Sequence, residues 1–181
     1  MNTTLSPLPE LEKNFGRYTL WLGILLLILG TTGFFLPNLM AIATSSFVAA
    51  WLVVGGVFWG AHSISNNPKN ILNWLKPLIL VGSGAFMLVY PQVGIETLAL
   101  WLALYLLLDM AGSFSLTFRL RPAAGWWWML FNGITSLVLA LMILLNWPAI
   151  SDWFVGIYVS ISLMFDGIAL LGLHFAAKPR A

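Results

Sequence analysis

Two carboxylic acids stand alone in long apolar runs. Asp109 lies in YLLLDMAG, residues 105–112, and Asp166 in SLMFDGIALLG, residues 162–172. A carboxyl group in such surroundings has two chemical uses: it can take up and release a proton, or it can hydrogen-bond to a neighbouring helix. Asp109 follows Glu96 by thirteen residues and precedes Arg119 by ten; Asp166 follows Asp152 by fourteen and precedes Lys178 by twelve. At about 1.5 Å per helical residue, each acid is roughly 15–20 Å from either flanking charge. In a membrane both would sit near mid-depth, where a carboxylate costs about 2.5–3.5 kcal/mol on insertion scales. Each is therefore expected to carry a proton unless a donor pairs with it, and no lysine or arginine is expected at that level. Asn132, Thr135, Ser136, Ser113 and Ser162 are the candidate partners. Asp109, Asp166 and Asn132 thus form the candidate polar site, as a proton-responsive pair or as interhelical hydrogen bonds. The second role is favoured, because the outer halves of the apolar runs offer no relay of polar groups.

Other chemistries find little support. The chain has no cysteine, and its two histidines, His62 and His174, are far apart, so no metal site is expected. No phosphate-binding glycine loop, zinc-protease helix or nucleophile elbow occurs. The expectation is a protein without catalytic residues or cofactor. A formal net charge of +2 gives no footprint for nucleic acid.

The acids are carried by segments of extreme composition. Of 181 residues, 60% are hydrophobic and 8% charged, against roughly 25% charged in soluble domains. A chain this small cannot bury so much apolar surface in water, so its solvent is lipid. Apolar segments fall at about 18–36, 41–62, 72–90, 95–118, 126–147 and 151–176, separated by LPNLM, SNNPKNILNW, YPQVGIE, RLRPAAG and NWPAISD. Their continuity argues for helices of about 20 residues rather than alternating barrel strands. The first run is read as a retained span rather than a cleaved signal, since Lys13 and Arg17 lie far from the start and no small-residue cleavage site follows. With six spans, all eight basic residues (Lys13, Arg17, Lys69, Lys76, Arg119, Arg121, Lys178 and Arg180) fall on one side. Cytoplasmic loops hold the Lys/Arg excess, so both termini are expected in the cytoplasm. Trp21, Trp59, Trp74 and Trp126 to Trp128 fit anchors at that interface, with Trp147 and Trp153 at the opposite one.

The chain also repeats. FFLPNL, LVYPQV and LNWPAI place Pro37, Pro91 and Pro148 at spacings of 54 and 57 residues. Gly30 and Gly84 stand seven residues before the first two prolines and Ala140 eight before the third; eighteen after them come Gly55, Asp109 and Asp166. The expected fold is an all-α membrane protein: a polar tail over 1–17, then a single domain over 18–178. Its six transmembrane helices form three repeated hairpins (about 18–66, 72–121 and 125–178) packed in one bundle. Gly30, Gly56, Gly60, Gly84 and Gly167 are the expected close-packing positions, since small residues let backbones approach in lipid.

Three short repeats of this form, ending in GIYVSISLMFDGIALLG, resemble the HdeD-like family of short-repeat membrane proteins. The resemblance runs over about 20–178, with FDGI and the triple period as its specific part; Gly55, where the other copies have aspartate, departs from it. It implies residence in a bacterial cytoplasmic membrane and a link to acid-stress resistance, with no catalytic residues to carry over. Expected partners are membrane lipids and either further copies of the chain or a larger membrane complex; a small proton-linked transporter using Asp109 and Asp166 is the rival.

Overall fold

The computed structural model describes residues 8–66, 71–122 and 125–176. They form six helices: α1 (Leu8–Phe35), α2 (Pro37–Asn66), α3 (Ile71–Val89), α4 (Pro91–Leu120), α5 (Trp126–Asn146) and α6 (Ser151–Ala176). Each contains a stretch long and apolar enough to cross a membrane. Helix α1 begins at Leu8, so much of the expected polar tail is helical and continuous with the first span. Lys69, Lys178 and Arg180, three of the cations behind the expected orientation, lie outside the described residues.

Two of the three turn prolines make corners rather than loops, while Pro148 lies in a four-residue turn over 147–150. A single residue, Leu36, separates α1 from α2, and Tyr90 alone separates α3 from α4. Proline suits the first helical position, where its missing N–H is not needed, and it forces the preceding residue out of the helical region. Tyr90 accordingly has φ −124° and ψ 74°. The hydrogen-bond ladder bridges the corner: Leu36 N–H donates to Thr32, and its own carbonyl accepts from Met40.

A one-residue corner cannot fold two helices back against each other, because antiparallel helix hairpins use loops of about 2–5 residues. The helices on either side of Leu36 and of Tyr90 therefore diverge. The extensive pairings are instead α2 with α3, α4 with α5 and, between the two ends of the chain, α6 with α1. Helices α2, α4 and α6 also contact one another, so each of α1, α3 and α5 flanks an inner helix belonging to a different copy.

The apolar core lies close to the prolines. Ala41, Ile95, Ala99, Ala103, Leu106, Ala140, Ile143, Phe154 and Val155 form it, all within fifteen residues of a turn proline. Gln92 Nε2 donates to Asp152 at 3.0 Å, and Trp147 Nε1 donates to the Glu96 carbonyl at 3.1 Å, tying α4 to the third proline segment at this end. Asp152 in the first turn of α6 also suits the positive end of the helix dipole.

The glycines show how tightly the pairs close. A Cβ on Gly84 would lie 2.7 Å from the Ala49 carbonyl oxygen, and one on Gly30 2.7 Å from that of Ser160. Gly167 would meet the Gly23 carbonyl oxygen at 2.9 Å, and Gly56 the Val81 nitrogen at 2.8 Å. Gly60 is looser, with only Pro77 Cβ at 3.8 Å, so of the G-x-x-x-G pair it is Gly56 that seats the helices.

Candidate functional site

Beyond the apolar core, the α4–α5 pair encloses a polar cluster. Asp109 Oδ2 accepts a 2.8 Å hydrogen bond from Asn132 Nδ2 and a 2.6 Å bond from Ser136 Oγ. The same Asn132 nitrogen donates to Ser113 Oγ at 2.9 Å. Ser113 and Ser136 are buried, Asp109 is half-buried and Asn132 is exposed at the edge of the pair. Local sequence explains the arrangement. Asp109 and Ser113 are four apart on α4, and Asn132 and Ser136 four apart on α5, so each pair shares a helix face. Gly133, whose Cβ would lie 2.7 Å from the Phe114 ring, brings the two faces together.

A longer polar ladder runs along α4, and sequence reading missed it. Tyr105, Asp109, Ser113 and Thr117 recur every four residues. Thr117 Oγ1 donates to the Ser113 carbonyl at 2.8 Å. At the other end the Tyr105 side chain meets that of Tyr158 on α6. The i, i+4 spacing of polar residues on an apolar helix was the available signal for Tyr105 and Thr117; nothing in the sequence pointed to Tyr158. The ladder ends at Tyr105, beyond which the same helix presents the buried apolar Ala103, Ala99 and Ile95.

The structure does not bring the two acids into one site. Asp166 is exposed, and among the described residues no side chain hydrogen-bonds to it. Thr135 is spent on its own helix, donating to the Phe131 carbonyl at 2.9 Å, and Ser162 is exposed on α6. Counting through the repeats shows why the acids differ. Asn132 and Ser136 precede Ala140 by eight and four residues; the corresponding residues before Gly84 are Lys76 and Leu80, and before Gly30 they are Leu22 and Leu26. In register, one helix-pair crossing thus has three fillings: an acid with its donors (α4–α5), an acid with leucines at the donor positions (α6–α1), and a lysine with Gly55 in place of the acid (α2–α3).

In that last pair, Lys76 Nζ lies 3.4 Å from the centre of the Trp59 ring. The proline that follows it shapes the pair: Pro77 has no N–H to donate to the carbonyl four residues earlier. That carbonyl, of Asn73, accepts instead from Ser63 Oγ at 2.9 Å. Arg121 lies 4.4 Å from the centre of the Trp126 ring, so both cation–aromatic contacts sit at the ends away from the proline corners. Among the described residues, no three His, Cys, Asp or Glu side chains gather as a metal site would require.

Comparison with known proteins finds a repeat family twice along the chain. The family described as "Short repeat of unknown function (DUF308)" matches residues 21–83 and 75–145. The chain belongs to this short-repeat family. Within the curated proteins, this short-repeat chain is similar to the protein HdeD of Escherichia coli strain K12, with 27% identity over 167 residues, 89% of this chain and 87% of HdeD. The HdeD proteins of Escherichia coli O157:H7 and Shigella flexneri match to the same extent. No solved structure matches it.

Proposed function

We propose that this short-repeat protein is a non-enzymatic, HdeD-like component of a bacterial cytoplasmic membrane that contributes to acid-stress tolerance through helix packing and assembly. In this reading three like-oriented proline-cornered repeats cross the bilayer, with both termini in the cytoplasm. Similarity to HdeD along most of the chain supports the stress context. The observation that carries the packing role is the double donation of Asn132 and Ser136 to one oxygen of Asp109. Such a carboxyl is committed to clamping two helices.

Genetic complementation tests this reading. A bacterial strain lacking its own copy should regain survival in acid with the wild-type chain and with Asp109→Asn, which keeps an acceptor, and should lose it with Asp109→Leu. Equal protection by all three would reject a role for the clamp. The ladder from Tyr105 to Thr117 supports a second reading, proton-linked transport, although it spans only part of α4. Proton flux into reconstituted vesicles that disappears with Asp109→Asn would favour transport. Single cysteines placed at Gln92 and at Lys69 test orientation, with only the second shielded from an impermeant reagent in intact cells.

A further inference from the structure

We propose that Asp166 of one molecule is held by Lys76 of a second copy of this chain, joining the α6 face of one molecule to the α2–α3 face of the next. This rests on the assembly role proposed above. Its first support is register. In the α4–α5 pair, Asn132 reaches Asp109 directly. Lys76 holds the place of Asn132 in its copy, and Asp166 holds the place of Asp109 in its own. Two copies inserted in the same orientation therefore bring Lys76 and Asp166 to one level of the bilayer, contrary to the expectation that no cation lies at the depth of the acids.

Each side lacks what the other offers. Asp166 is exposed without a described partner, on a helix that meets leucines where α4 meets donors. A carboxyl placed within a membrane span ordinarily faces protein and is paired. Lys76 is exposed, and its ammonium rests on the Trp59 ring, which attracts the charge without neutralising it. The cleft around it, about 240 Å³, is lined by Trp59, His62, Ser63, Leu72, Asn73 and Lys76, none of them acidic. A Cβ on Gly55, at the position of the missing acid, would meet nothing within 4 Å. The α6 surface also admits a close neighbour: Ser162 and Ala169, four residues before and three after Asp166, are small and exposed. An acid and a base on neighbouring helix pairs can pair reciprocally in a two-fold dimer, or head-to-tail in copies that close a ring or extend a row.

The cysteine-free chain permits a direct test. Differently tagged Asp166→Cys and Lys76→Cys chains are co-expressed and treated with a short bifunctional thiol reagent in native membranes. A cross-linked product carrying both tags is expected, with none from either variant alone. A separate measurement uses energy transfer between labelled chains in lipid vesicles. Asp166→Lys or Lys76→Asp alone should raise the dissociation constant about 30-fold or more, and the doubly swapped chain should restore it. Ser162→Cys, on the same face, replaces Asp166→Cys should that variant fold poorly. Absence of mixed cross-links at both positions, or charge swaps that leave association unchanged, would overturn the contact and assign Asp166 to lipid or to a foreign subunit. Acid survival is scored separately: contact with no effect on survival refutes the stress reading, and survival without contact refutes only this pairing.

Discussion

The carbonyl oxygen of Ala49 lies 2.7 Å from where a Cβ on Gly84 would be, so α3 rides directly on the backbone of α2. Gly30 stands in the same relation to Ser160, at the equivalent place in another copy. A side chain at either glycine would force the helices apart. Gly84→Val and Gly30→Val should each destabilise the protein by about 1–3 kcal/mol, the usual cost of overpacking. Gly82→Ala and Gly172→Ala, where a Cβ meets nothing within 4 Å, should stay within about 0.5 kcal/mol of wild type. Reversible unfolding in mixed micelles, followed by tryptophan fluorescence, measures the difference; equal effects at all four sites would refute this account of the packing.

Removing the acceptor of the α4–α5 cluster should cost more than altering it. Asp109→Leu leaves Asn132 and Ser136 without their shared acceptor, and a loss of about 0.6–1.7 kcal/mol is expected from measured interhelical bonds in membranes. Asp109→Asn keeps a carbonyl oxygen for one donor, so its loss should be smaller. The same unfolding assay decides, and a more stable Asp109→Leu protein would show that the cluster does not clamp the helices.

Asp109 and Asn132 should also be energetically coupled. In a double-mutant cycle with Asp109→Leu and Asn132→Leu, the double variant should lose less than the sum of the singles. The coupling should be about 0.6 kcal/mol or more. Strict additivity would mean that the 2.8 Å contact contributes nothing.

The Ser63–Asn73 bond makes a prediction about a proline. Ser63→Ala should cost about 1 kcal/mol, because the Asn73 carbonyl loses the donor that stands in for the one Pro77 cannot supply. Introducing Pro77→Ala restores a backbone N–H below that carbonyl. Ser63→Ala should therefore be less damaging in the Pro77→Ala background than in wild type. An undiminished penalty would separate the serine from the proline.

What the sequence determined by itself was what each segment carries alone. Hydropathy belongs to a single helix, so six spans were legible, and so were the proline period, the tight positions Gly30 and Gly84, and Asn132 as a partner for Asp109. Which copy each helix packs against was decided only in three dimensions. The one-residue corners at Leu36 and Tyr90 send consecutive helices apart, so α3 closes on α2 and α1 on α6 across repeat boundaries. Asp109 and Asp166 occupy equivalent places in the repeat, yet one meets Asn132 and Ser136 while the other stays exposed, because α1 carries leucines where α5 carries those donors. A residue's chemistry in lipid is set by the surface brought against it, and that surface comes from a distant part of the chain.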